Sequence, residues 1–547
     1  MTGLVIVNIM VSSDIVPGTV HLVDIAGNLN VHKRDGTNVI LQPQPSSDPR
    51  DPLRWSNKKK HFQFTLLWIW AFLLAAILNF NGPIFGILIA ELGWTGTQIN
   101  IGIALGFMGL GVGVAFNQPL ALKIGRRAVY LYCTLIGIIG TAIGARAQEY
   151  FYFYLYRTFA GWAASPVDTL VEVSACDIYF QHERSSKFGS LVLALYLGSY
   201  FPPVLSGFIA DGIGWRWNYY ILVILCAVLF IACFLFLEDT SFKRDFNNEA
   251  FENDIIEQIK SHALGEVSST DKNGLIIENI ESDSQSSGKS FTEKMKLIEL
   301  EQTDDRSYFA IFIRPFFLTY YPAVLYGGAV YGSQMMWLTL MAVTQSAFFR
   351  VEPYNFSPSS VGLTNLGACV GCIFGMYYGG AFVDWLSVKL AERNDGIYEP
   401  EFRLWAMIVP TILNAAGIVA YGIGIHSGVH WAVPVVIGMG FMGFASAASG
   451  AICLTYAVDC YPKVGGEVLV VILVIRNAIG AGFTFGIEPW IERSGVKDTT
   501  WYMFLISILI NGGFIFLIIF GKRIRRLTAQ SYEKYSNPQF GEFFKKN

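Results

Sequence analysis

The sequence predicts an all-α membrane protein with twelve transmembrane helices in two pseudo-symmetric bundles of six. Three observations carry that expectation. Mean hydropathy is +0.43 and residues of the AVILMFWYC set make up 53%, against 15% charged, an excess that water-soluble domains do not reach. A hydrocarbon layer roughly 30 Å thick takes about twenty apolar residues per helix, and twelve apolar runs of that order can be read along the chain. A long polar stretch divides them six and six, and the ten-residue alternation of a membrane β-barrel is missing.

Residues 1–60 read as a polar, Pro-rich cytoplasmic tail. The first apolar run, at about 62–90, is too long for the core of a cleavable signal and is expected to act as the targeting signal itself. Runs at about 98–118, 128–145, 150–176, 190–210 and 217–237 complete a first bundle over 61–237. Residues 238–312 are polar; between Glu238 and Arg306 lie 17 Asp/Glu against 8 Lys/Arg. That composition buries too little apolar surface to fold, so a disordered acidic cytoplasmic linker is expected. The rest of the chain holds 31 Lys+Arg and 25 Asp+Glu, so the net charge of −3 describes the linker and not the membrane body. Runs at about 315–345, 359–383, 404–425, 431–458, 468–488 and 501–521 form a second bundle over 313–521, followed by a cytoplasmic tail, 522–547.

Positive charge sets the expected orientation. Loops on one side hold Lys123, Arg126, Arg127, Arg184, Lys187, Lys389, Arg393, Arg403 and Lys463; those on the other hold Arg146, Arg216, Arg350, Arg493 and Lys497. The richer side, expected to be cytoplasmic, then carries both termini.

An ionisable side chain at bilayer depth costs about 2.5 to 3.5 kcal/mol on insertion scales, so each needs a partner or a wet cavity. Span four holds Arg157, Asp168 and Glu172. On a continuous helix the step from Arg157 to Asp168 returns within about 20° of its start, and Glu172 lies about 60° from Arg157, which predicts one shared face. Asp168 and Glu172 are candidates for binding a cationic group or a coupling proton. Arg157 is a candidate for holding a carboxylate or relaying protons, with a tether to backbone carbonyls as the alternative. Arg476, beside Asn477, either balances the acids across a cavity or braces span eleven. Tyr331, Gln334 and Trp337 in span seven and Asn81 in span one are candidate cavity-lining residues, since aromatic faces hold organic cations at about 0.5 to 2 kcal/mol. Pro202 and Pro203 are expected to break the hydrogen-bond ladder of span five, with Gly198 and Gly207 packing it closely.

Two echoes suggest duplication of a six-span unit. Asp177-Ile178-Tyr179 ends span four and Asp459-Cys460-Tyr461 ends span ten; the loop after span two reads Lys123-Ile124-Gly125-Arg126-Arg127, and the loop after span eight reads Gly380-Ala381-Phe382-Val383-Asp384. The first loop resembles the second half of the signature that follows span two in the major facilitator superfamily. Gln118 and Leu122 replace its first glycine and its acid, and Asp384 is the acid's counterpart in the second half. Arg157 and Gly161 resemble the family's span-four element; Gly198, Pro202, Pro203 and Gly207 resemble the span-five element of its proton-coupled drug antiporters. Over roughly 17–527, Pro17-Gly18-Thr19, residues 177–184 including Arg184, and Asp459-Cys460-Tyr461-Pro462 are similar to the fungal group that contains the yeast histidinol and polyamine permease. The resemblance implies the major facilitator fold, with Asp177, Arg184, Asp384 and Asp459 in its gating elements. Asp168 falls where that permease is acidic, which implies a cationic or amine-bearing solute; Ala451 and Asn81 stand where acids would be expected.

Function is therefore expected to be secondary active transport of a small organic solute by alternating access, coupled to protons, at the plasma membrane, by a monomer embedded in lipid. A transport-deficient nutrient receptor on the same fold and an exporter of uncharged drugs stay open. An enzyme is not expected, because no H-E-x-x-H, no Ser/His/Asp grouping at bilayer depth and no nucleotide loop can be read. No cofactor, metal or nucleic acid is expected.

Overall fold

A backbone that leaves water for lipid must satisfy its own N–H and C=O groups, so the apolar runs become helices. The structure, a computed structural model, describes residues 17–21, 51–179, 181–242, 307–394 and 397–536. Among the described residues nine helices are long and apolar enough to cross a membrane, ten when the bent pair Tyr308–Tyr320 and Pro322–Phe349 counts as span seven. Two more complete the twelve. Span four consists of Tyr150–Ala164, a 3-10 turn at Ser165–Asp168 and Leu170–Ile178, and its buried charges lower its hydropathy. The run Pro462–Ser536 holds spans eleven and twelve, because Gly495 has φ 76° and breaks the helix. Arg476 and Asn511, on either side of that break, both reach span seven, at Tyr331 and Gln334.

The other spans are Asn57–Leu92 (one), Gly96–Ile124 (two), Arg126–Ala145 (three), Gly189–Gly212 (five), Arg216–Phe236 (six), Pro358–Arg393 (eight), Glu401–His426 (nine) and Val433–Cys460 (ten). Where they pack obeys a two-fold rule. Span two packs on span eleven and span five on span eight, and exchanging each span with the one six places away converts one pair into the other. Inside the bundles, two on four matches eight on ten, and three on six matches nine on twelve. The closest approaches repeat as well. A Cβ on Gly161 would lie 2.0 Å from the Gly106 carbonyl, and one on Gly371 would lie 2.0 Å from the Gly440 carbonyl. Bare glycines let these backbones touch, which matters where lipid offers no hydrophobic drive.

Span one starts on the face that also carries residues 17–21 and the C-terminal helix Phe514–Ser536, here the tail face; the opposite side is the far face. Residues Val20–His21 pair antiparallel with Ile397–Tyr398 on the tail face. At the far face the halves are in contact. The Gly86 N–H donates to Ser346 Oγ at 3.0 Å, the Ser359 N–H to Asp211 Oδ2 at 2.8 Å, and Gly207 lies against the Pro358 carbonyl.

Three sequence expectations change. Span four is not one continuous helix: Pro166 lacks the N–H that an α-helix needs, and a 3-10 turn carries the chain through Asp168. Span five, in contrast, stays helical through Pro202 and Pro203 within Gln181–Gly212. Residues 308–312, at the end of the stretch expected to be disordered linker, belong to the helix Tyr308–Ile313. Residues 243 to 306 of that linker and the Arg184 side chain lie outside the described residues.

Candidate functional site

Asp168 lies ten residues from the tail-face end of span four at Ile178, and Arg476 eleven from the start of the helix at Gly465. At 1.5 Å per residue both are about 15 Å deep, the middle of the hydrocarbon layer. They meet across the seam between the halves: Arg476 Nη2 donates to Asp168 Oδ2 at 2.5 Å, and the two side chains are 1% and 5% exposed. Arg476 Nε also donates to Asn477 Oδ1 at 3.2 Å, and the guanidinium carbon lies 4.7 Å from the centre of the Tyr331 ring. Glu172, half-buried one turn beyond Asp168, is within electrostatic reach of both Asp168 and Arg476. A charge this far from either face needs a counter-charge or water; Asp168 has the first, and Glu172 retains partial exposure although it is deep in the fold.

Sequence reading missed two neighbours here. Tyr196 of span five donates to the Ser446 carbonyl at 2.9 Å, crossing the seam. Gly450 of span ten makes room for Tyr331, since a Cβ would lie 2.9 Å from that ring. Nothing in an apolar run marks one tyrosine or one glycine for such a place.

Five candidates fall elsewhere. Arg157 is buried and donates to the Leu78 carbonyl of span one, so the structure favours the backbone tether over contact with a carboxylate. Arg157 thus contacts span one while Asp168 contacts span eleven with Glu172 beside it, and the 3-10 turn at Pro166 lies between, so the continuous helix that placed all three on one face is not formed. Asn81 donates to Tyr156 at 2.8 Å and accepts from Tyr219 at 2.9 Å, closing a polar knot inside the first bundle. Gln334 donates to Asn511 at 3.0 Å and accepts from Ser446 at 3.4 Å, both in the second bundle. Trp337 is fully buried against Phe483, edge to face. Gly198 lies against the Phe72 carbonyl, joining spans one and five.

The tail-face elements form two related charge clusters. In the second half Arg403 Nη1 reaches Asp384 at 2.7 Å and Arg403 Nε reaches Asp459 at 2.8 Å, tying the ends of spans eight and ten to the start of nine. Tyr398 donates to Asp459 at 2.7 Å; burial raises its phenol pKa, Asp459 adds to the rise and Arg403 opposes it, so the hydroxyl stays protonated. In the first half Arg126 pairs with Asp177, as Arg403 does with Asp459. The acid missing at Leu122 has a substitute from just past the end of span six: the Arg126 N–H donates to Asp239 Oδ1 at 3.4 Å. Gly125, at φ 94°, is what admits Asp239, because a Cβ there would be 2.2 Å from Asp239 Oδ2. Arg127 donates to the Phe234 carbonyl at 2.7 Å. Sequence reading found the aspartates and Arg126 but gave Arg403 no gating role; its place after Asp384, set beside Arg126 in the duplicated pattern, was the available signal.

Residues 67–484 match the Major Facilitator Superfamily model. The chain belongs to that family. Members are secondary transporters of small solutes, so this is a multi-pass membrane carrier and not an enzyme. It is 30% identical to an MFS-type transporter of Schizosaccharomyces pombe, over 94% of this chain and 92% of that one. It is 27% identical to protein HOL1 of Saccharomyces cerevisiae, over 93% and 94%, which agrees with the fungal group that the sequence motifs resemble. The solved structure of the human organic anion transporter MFSD10 shares the fold, at a TM-score of 0.50 and 15% identity over 83% of this chain and 99% of that one.

Proposed function

We propose that this carrier moves a cationic, amine-bearing solute by alternating access, in exchange with protons, using Asp168 and Glu172 as the charge site. The supporting observation is the ion pair between Asp168 of the first half and Arg476 of the second, with Glu172 beside it. Two carboxylates share one guanidinium, so the cluster carries one uncompensated negative charge when both are ionised. A solute ammonium or a proton neutralises it equally well, and occupants that exclude each other are what exchange requires. Arg476 acts as the internal counter-ion of the empty site. When a solute cation takes its place at Asp168, the guanidinium moves away and the Tyr331 face becomes available to the cation.

The bond also explains why binding and movement are linked. A contact that joins the halves at mid-depth resists their rocking, and its replacement by solute changes that resistance. The tail face, which carries the larger share of loop Lys and Arg, is the cytoplasmic side in this reading, the membrane is the plasma membrane, and the carrier works as a monomer.

Uptake by cells of a panel of amines and uncharged drugs, at two pH values, tests the proposal. Asp168→Asn is expected to abolish pH-dependent amine flux and Asp168→Glu to keep part of it. Undiminished, pH-dependent flux in both variants rejects the carboxylate role, and flux of uncharged drugs alone rejects the cationic solute.

A further inference from the structure

Besides the contact of Asp211 with Ser359, the far end of the seam holds another carboxylate contact between the halves. Spans one, two, seven and eleven converge there on a cavity of about 240 Å³ whose lining includes Phe85, Ile99, Asn100, Val343, Glu488 and Glu492. Asn100, buried in the first half, donates from Nδ2 to Glu488 Oε2 of the second half at 2.7 Å. Gly96, in the first turn of span two, leaves the space that this carboxylate needs, since a Cβ there would be 2.1 Å from Glu488 Oε1. The N-terminal end of that 29-residue helix also favours a negative charge beside it.

This contact differs from the central one in its partner. Asp168 is held by a guanidinium, whereas Glu488 is held by neutral groups of span two, the Asn100 amide and the Thr97 side chain, and makes no ion pair among the described residues. Arg350, whose guanidinium would meet a Cβ on nearby Gly86, is not paired with it. Glu488 is half-buried and Glu492, one turn further along the same helix, is exposed, so the carboxylates run from the cavity toward the far face.

We propose that Glu488 is the far-side gating residue. Its carboxylate holds the seam shut through Asn100, and a cation arriving from the far face exchanges for the amide and frees the halves to part. A charge-assisted hydrogen bond of this kind biases a two-state equilibrium without locking it, which suits a gate that must open in every cycle. The identity of the opener rests on the cationic solute proposed above; the latch itself does not.

Labelling with a membrane-impermeant maleimide applied to the far face, on full-length chain carrying Val343→Cys, tests this without any need for transport. Losing one such bond is expected to raise the labelling rate roughly ten-fold in Asn100→Leu and Glu488→Ala. Glu488→Gln, which keeps an acceptor for Asn100, stays near the parent rate. Gly96→Ala, which displaces the carboxylate, opens the seam by a second route if either large change harms folding, and an unchanged melting temperature certifies each variant. Spermidine, as the cation probe, is expected to accelerate labelling of the parent and not of Glu488→Gln. Rates unchanged in Asn100→Leu, Glu488→Ala and Gly96→Ala overturn the latch, and equal acceleration by spermidine in Glu488→Gln overturns cation release. A chain that labels as expected yet carries no amine keeps the latch and loses the transport reading.

Discussion

Single residues in this chain are legible where lipid makes them expensive. Asp168, Glu172 and Arg476 announce themselves as charges inside apolar runs, but their partnership spans more than half the chain and no local pattern records it. The same rule misleads for Arg157, whose counter-group is a backbone carbonyl that every sequence offers everywhere. If Asp168 and Arg476 form one coupled unit, removing either alone leaves a buried charge unpaired, at a cost of about 3 to 5 kcal/mol. Asp168→Asn and Arg476→Gln should each lower the melting temperature clearly, and the double variant should recover most of the loss. A double variant as unstable as the sum of the singles would show that the two residues act independently.

Elements were read well in number and poorly in shape. Apolar length gave twelve spans, because the hydrocarbon thickness leaves little choice. Helix breaks depend on which backbone groups find partners after packing, and that is decided by neighbouring spans. Pro166 breaks its helix while Pro202 and Pro203 do not. Restoring the donor with Pro166→Ala should extend an α-helix through Asp168, turn that side chain away from Arg476 and reduce transport with little loss of folded protein. Wild-type flux in this variant would mean that the turn does not position the acid. Close helix contacts give a second check. Gly161→Val and Gly371→Val push against backbone carbonyls in symmetry-related places and should each destabilise by about 1 to 3 kcal/mol or more. Gly380→Val, with open space around its Cβ position, should change stability by less than about 0.5 kcal/mol in thermal denaturation. Equal effects at all three positions would deny the packing role of the first two.

The molecule as a whole has two halves related by a rotation that exchanges each span with its counterpart six places on, in contact at the far face and joined by a charge pair at mid-depth. The duplicated D-x-Y made the halves visible in the sequence. Which face is sealed was not visible, since it depends on contacts such as Ser359 to Asp211 between segments distant in the chain. If the halves must part there during transport, the pair Asp211→Cys and Ser359→Cys should stop flux on oxidation and regain it on reduction. Flux that persists through a formed disulfide would exclude rocking at this seam.

Counterflow in liposomes tests the central claim most directly. Purified chain is reconstituted with unlabelled spermidine inside, and labelled spermidine is supplied outside. A carrier that binds amines at Asp168 should accumulate label transiently above equilibrium, and Asp168→Asn, shown to be folded by its melting curve, should not. Label that only equilibrates in both proteins, or overshoots equally in both, would contradict it.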